Sequence, residues 1–198
     1  MTSIVTAERD CYEEMWGVEQ YADTSPGERF VPVFDTLARE RGDDPRDLTV
    51  LDAGCGSGKG AVALAAHGYQ VTLCDLTPSG LVPEARALPF FETTLWASLK
   101  QRHVFGGAYD YVFCCDVLEH LPTVFVGLAI TQMLAVARKG LFISVALAPD
   151  NLGVWVGRPL HLTVQPYVWW RDHLRELGRV VEARDLINEG IYLVEPRP

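Results

Sequence analysis

Val50-Leu-Asp-Ala-Gly-Cys-Gly-Ser-Gly-Lys-Gly60 decides how this chain folds. The apolar run 48–51 enters a turn with glycines at 54, 56, 58 and 60, and a small-residue, helix-prone stretch follows at 61–66. Glycines where a strand turns into a helix let the backbone take positive φ and let a ligand approach without meeting a Cβ. A second apolar run, 69–73, leads to Asp75, 17 residues after Gly58. An acid there, at the tip of a second strand, is placed to accept hydrogen bonds from ribose hydroxyls. Together the turn and the acid predict a nucleoside-containing cofactor. A dinucleotide turn reads Gly-x-Gly-x-x-Gly and seats a pyrophosphate. Here the order is Gly54-x-Gly56-x-Gly58, with Asp52 just ahead of it. A carboxylate at that point repels a pyrophosphate and suits a cationic sulfonium or an α-ammonium group.

Further along, Tyr109-Asp-Tyr-Val-Phe-Cys-Cys-Asp-Val-Leu-Glu-His-Leu-Pro122 forms an apolar strand ending in acids and a histidine. With the glycine turn and Asp75, in this order between residues 48 and 122, it resembles the motifs of class I S-adenosylmethionine-dependent methyltransferases, small bacterial and phage members included. The resemblance implies S-adenosylmethionine as cofactor and S-adenosylhomocysteine as product. It implies that Gly54, Cys55, Gly56 and Gly58 contact the methionine portion, with Asp52 at the strand tip beside them. Asp75 would hold the ribose diol, Leu76 would pack on the adenine, and Asp116 with Val117 would meet the amino-acid end. Leu95 and Trp96, after a short third strand, are candidates for the adenine pocket. Trp16 and Tyr21, on an N-terminal helix, are candidates to cover the cofactor.

The pattern of elements predicts an α/β fold. Strands are expected at 48–53, 70–75, 110–115 and 140–147, and helices at 4–22, 28–41, 58–67, 124–138 and 166–177. Helices alternating with β-rich runs imply a mostly parallel sheet covered on both faces. Two final runs, 180–186 and 191–194, joined by a short turn, predict a closing antiparallel hairpin. The resemblance implies a Rossmann-like, doubly wound, seven-stranded sheet. One domain over 1–198 is expected, with a helical lid at 1–45, a cofactor-binding core at 46–147, and an acceptor-side segment with closing strands at 148–198. Residues 77–108 read as the irregular part, with a Gly106-Gly107 turn.

Composition narrows the partners. The net charge is −9 and the basic residues are scattered, so a bulk nucleic-acid substrate, which needs a basic face, is disfavoured. No apolar run reaches the ~18–20 residues of a membrane span. The first ten residues lack the basic and apolar stretches of a secretory signal. Five cysteines without a Cys-x-x-Cys pair argue against a disulfide framework or a zinc knuckle, and a reducing cytoplasm is expected.

Two histidines are candidates for catalysis. His120, in Glu119-His120, follows the fourth strand, and an imidazole there can remove a proton from an attacking hydroxyl or amine. His161 lies in 157–170, a Pro-bounded segment containing Arg158, Thr163 and the pair Trp169-Trp170, where the family places acceptor recognition. The spacing Asp116-x-x-Glu119-His120 could hold a divalent ion, but the sequence offers no further ligand cluster, and no metal is expected. His67, His103 and His173 read as structural or solvated. The sequence therefore predicts methyl transfer to a hydroxyl or amine of a small molecule or saccharide. The alternatives are a nucleic-acid or nucleotide methyltransferase, or a non-catalytic S-adenosylmethionine-binding protein. Oligomeric state is not legible.

Overall fold

The computed structural model describes residues 4–22, 25–96 and 108–197. Seven strands form one sheet: β1 (Thr49–Ala53), β2 (Gln70–Asp75), β3 (Phe90–Glu92), β4 (Tyr109–Cys115), β5 (Ala137–Ala146), β6 (Arg179–Asp185) and β7 (Glu189–Glu195), ordered β3-β2-β1-β4-β5-β7-β6. β1 runs parallel to both β2 and β4, and β5 is parallel to β4. β7 is antiparallel to β5 and to β6. The expected mostly parallel sheet with a closing hairpin is the one observed.

The helices are α1 (Ile4–Trp16), α2 (Glu19–Ala22), α3 (Val31–Glu40), α4 (Lys59–Ala66), α5 (Thr123–Val136) and α6 (Tyr167–Leu177). Alternation along each strand sorts side chains to the two faces. Val50, Tyr111, Phe113 and Phe142 pack with Phe34 and Leu37 of α3 and Leu64 of α4. Their neighbours Leu51, Val112, Cys114 and Ile143 pack with Ile130 and Met133 of α5 and Trp170 of α6. Burial of both faces explains why these strands read as near-continuous apolar runs.

Besides shifts of one or two residues at other element ends, three boundaries differ from expectation in ways the backbone explains. The helix expected over 4–22 ends at Trp16, where the amides of Gly17 and Val18 close turns onto Glu14 and Met15, and α2 then restarts at Glu19. The helix expected from Glu28 begins as a 3-10 turn, Pro26–Phe30, and becomes α-helical at Val31, with Pro32 in its first turn. α5 stops at Val136, and β5 starts at Ala137, not at 140, because Ala137 pairs with Tyr109. The Gly106-Gly107 turn and His103 lie outside the described residues.

The sheet order reverses between β1 and β4, since the chain builds β1, β2 and β3 outward before crossing back. Ligands of open α/β sheets sit beyond the carboxyl ends of strands at such a reversal. Over that end lies α1, whose Cys11 and Met15 pack with Leu160.

Candidate active site

The glycine turn leaves β1 at Gly54 with φ +76°, and a Cβ there would stand 2.6 Å from Cγ2 of Val117. Neither the backbone nor the space admits a side chain. The tip of β2 clasps the same turn: the Asp75 carboxylate accepts hydrogen bonds from the amides of Gly56 (2.9 Å) and Leu76 (2.6 Å). Each carboxylate oxygen has two lone pairs, so these bonds leave acceptor capacity for hydroxyl groups. Asp52 is buried, and its pKa is pushed up to about 7, first by burial and then by the charge of Asp75. Burial also raises the Asp75 carboxyl, while the amides donated to it oppose the shift.

These residues open onto one cavity. Its wall includes five carboxylates, Glu8, Asp52, Asp75, Asp116 and Asp150, and no lysine or arginine among the described residues. The expected contacts Gly54, Cys55, Gly56, Leu76, Leu95 and Trp96 line it, as does Val117. Trp96 also stacks on Phe125, with ring centroids 5.6 Å apart, so it is core and cavity wall together. Gly58 stands outside the lining; it is the N-cap of α4 and packs against Ala85 and Leu81. Asp116 caps β4 in a left-handed conformation, φ 59°, with its amide bonded to the Ser144 carbonyl.

At the other end of the cavity, two distant segments meet. Leu118–His120 makes a 3-10 turn, and the Glu119 carbonyl accepts bonds from the amides of Leu162 and Thr163. The Asp150 carboxylate gathers the amides of Gly153, Leu160 and His161. This scaffold brings the His120 and His161 rings edge to face, 4.7 Å between centroids. Nδ1 of His161 bonds the Ala148 carbonyl at 2.7 Å, and Nδ1 of His120 shares a 2.7 Å hydrogen bond with the Tyr12 hydroxyl. Burial lowers the His120 pKa to about 4, so its imidazole is neutral near pH 7.

Helix α1 closes the cavity. Both Glu8 oxygens receive Arg158, at 3.0 and 2.6 Å, and the Trp16 indole lies where a Cβ on Gly80 would be 2.4 Å away. Trp16 and Tyr21 both line the cavity, with ring centroids 4.8 Å apart. Sequence reasoning missed Glu8, Tyr12 and Asp150 here. The Asp150-Asn-Leu-Gly153 turn carried a signal for the last, since aspartate side chains bond nearby backbone amides. Trp169 and Trp170, in the segment expected to recognise the acceptor, are not in the lining: Trp170 is fully buried, and Trp169 stacks on His173. His67 stands outside the cavity too, beside Asp35.

Three observations fit an S-adenosylmethionine-like group to this cavity. The backbone cradle at Gly54 has no room for a side chain. Arg158 pairs with Glu8, but no lysine or arginine among the described residues lines the cavity beside Asp52, Asp75, Asp116 and Asp150 to oppose a cation. Nε1 of Trp16, at the lid, is buried without a hydrogen-bond partner.

Comparison with known proteins bears on the same region. A family model described as "Methyltransferase domain" matches residues 51–141. Magnesium-protoporphyrin O-methyltransferase of Synechocystis sp. is 35% identical over 119 residues, covering 55% of this chain and 48% of that protein. Ubiquinone biosynthesis O-methyltransferase of Xanthomonas axonopodis pv. citri is 36% identical over 85 residues, 40% of this chain and 35% of that one. The chain thus spans about half the length, or less, of these two relatives. Among solved structures, the Synechocystis magnesium protoporphyrin IX methyltransferase with bound S-adenosylmethionine superposes with a TM-score of 0.71 at 21% identity, over 98% of each chain. The 1,6-didemethyltoxoflavin-N1-methyltransferase of Burkholderia thailandensis gives 0.71 at 17% identity, over 96% of this chain and 88% of that one. The sheet order, the glycine turn with its clasping acid and the match of residues 51–141 to a methyltransferase domain agree, and the chain has the fold of the class I S-adenosylmethionine-dependent methyltransferases.

Proposed function

We propose that this protein transfers the methyl group of S-adenosylmethionine to a hydroxyl or amine of a small molecule or saccharide. The observation that carries the reading is the single cavity in which Asp52, Gly54 and Asp75 stand at one end and His120 and His161 at the other. Bound S-adenosylmethionine supplies an electrophilic methyl carbon with a good leaving group, so the protein's part is orientation and proton handling. Asp75 is assigned to the ribose hydroxyls, Asp116 with the amides of the glycine turn to the methionine end, and Leu76, Leu95 and Trp96 to the adenine. His120 and His161, at the other end of the cavity, are assigned to holding the acceptor. Of the proteins named above, two are O-methyltransferases and one is an N-methyltransferase, which favours an oxygen or nitrogen acceptor on a small molecule. The net charge of −9 disfavours a polyanionic one.

The test uses S-adenosylmethionine carrying a labelled methyl group, incubated with the protein, a desalted extract and its metabolite pool. Label in the small-molecule or saccharide fraction supports the reading. Label confined to nucleic acid or protein overturns the acceptor class. Cofactor binding without transfer to any fraction favours a non-catalytic binder.

A further inference from the structure

We infer that Glu119, His120 and His161 form a binding site for one divalent transition-metal ion of the zinc class. Their donor atoms all lie within 4.8 Å of one another, and among the described residues theirs is the grouping with this geometry. An ion with bonds of about 2.0–2.2 Å holds its donors roughly 3–4 Å apart, so occupancy asks the donors to draw together by up to about 1–2 Å. The sequence-based expectation of no metal rested on the lack of a further ligand; the tertiary structure brings His161 to the Glu119-His120 pair.

The surroundings argue for a cation. Glu119 is wholly buried; Oε1 accepts the Ala146 amide, while Oε2 has no hydrogen-bond partner. A buried carboxylate oxygen left unsatisfied is costly, and a bound cation removes that cost. Asp116 adds a second carboxyl beside Glu119, and no lysine or arginine among the described residues lines the cavity on the Asp116 side. Each imidazole is also held from behind, His161 through Nδ1 to the Ala148 carbonyl and His120 through Nδ1 to the Tyr12 hydroxyl. Metal-bound histidines use this arrangement to present the other nitrogen to the ion. His120 has one more neighbour, the Leu160 carbonyl, and ion binding exchanges that contact for coordination. Two nitrogens and one carboxylate suit Zn²⁺ or a similar ion better than Mg²⁺ or Ca²⁺, which prefer all-oxygen sites.

Three protein ligands leave one position open. Resting on the methyltransferase reading, that position would take the acceptor hydroxyl: its proton would pass to solvent, its oxygen would bond the methyl carbon as the carbon–sulfur bond breaks, and S-adenosylhomocysteine would leave.

The site is tested on protein stripped with a chelator and titrated with Co²⁺, whose visible absorption reports tetrahedral nitrogen and oxygen ligation. The expected result is one Co²⁺ per chain, displaced by Zn²⁺ and not by Mg²⁺, with affinity at least tenfold weaker in His161→Ala and in Glu119→Gln. Circular dichroism identifies any variant that has not folded, and His161→Ala, at a partly exposed position, carries the test if Glu119→Gln fails to fold. Absence of stoichiometric Co²⁺ binding, unchanged binding in folded His161→Ala, or equal displacement by Mg²⁺ overturns the assignment. S-adenosylmethionine affinity, measured calorimetrically on the same stripped samples, tests the methyltransferase reading separately.

Discussion

The Tyr12 hydroxyl and Nδ1 of His120 share a 2.7 Å hydrogen bond across 108 positions of sequence, tying the N-terminal helix to the turn after the fourth strand. The lid and the candidate acceptor site are therefore one hydrogen-bonded unit. Tyr12→Phe removes the bond and keeps the ring. Turnover is expected to fall about tenfold, on the scale of one hydrogen bond of about 1.4 kcal/mol. S-adenosylmethionine affinity should stay within about twofold; steady-state kinetics beside calorimetry separate the two, and a loss confined to cofactor binding would move Tyr12 out of the acceptor end.

Asp75 clasps the glycine turn and faces the cavity. Asp75→Ala is expected to weaken S-adenosylmethionine binding by roughly 1.5–3 kcal/mol, the range for hydrogen bonds to a charged group. Unchanged affinity in a calorimetric titration would sink the ribose assignment.

Asp52 predicts a pH dependence. Its pKa in the free protein is raised to about 7, so below that pH a cationic ligand must first displace a proton. Affinity for S-adenosylmethionine is expected to rise with pH up to about 7, approaching tenfold per unit on the acid side, and then to level off. Asp52→Asn should flatten that part of the profile. The sign is opposite for stability without cofactor. The folded protein holds this proton above the ordinary carboxylate range, so the contribution of Asp52 to stability falls as pH rises from about 4 to about 7. Urea midpoints of wild type and Asp52→Asn across that range check it.

Gly54 is expected to tolerate no substitution. Gly54→Ala meets both a φ of +76° and a Cβ 2.6 Å from Val117. A cost of about 1–2 kcal/mol from the backbone alone, plus the clash, should lower the melting temperature by several degrees and weaken cofactor binding at least tenfold. Thermal unfolding with and without S-adenosylmethionine measures both.

The Arg158–Glu8 pair holds the lid to the segment after β5. Glu8 is 6% exposed, so Arg158→Ala leaves a mostly buried carboxylate unpaired. Because the Arg158 side chain is about one-third exposed, the expected cost is about 1–3 kcal/mol, below the range for a fully buried pair. Faster cofactor dissociation in stopped-flow measurements is the expected signature, and an unchanged off-rate would show that the pair does not hold the lid closed.

The alternation of apolar runs with helix-prone stretches determined the layered α/β sheet, because strands covered on both faces must be apolar at every position and so announce themselves locally. The glycines at 54, 56, 58 and 60 with Asp52 and Asp75 likewise marked one end of the cavity, because that end is built from the tips of neighbouring strands and the turn between them. The acceptor end was only partly legible: His120 and His161 were each visible as candidates, but their meeting was not. That meeting depends on Glu119's carbonyl docking Leu162 and Thr163, on Asp150 gathering three amides, and on Tyr12 arriving from α1. Trp169-Trp170 could be read either way for the same reason, since only packing decides whether an aromatic pair faces a ligand or the core. Hydrophobic periodicity and turn chemistry are local and can be read from sequence; contacts between segments tens of residues apart are set by how the packed layers bring loops together, and only the tertiary structure decided them.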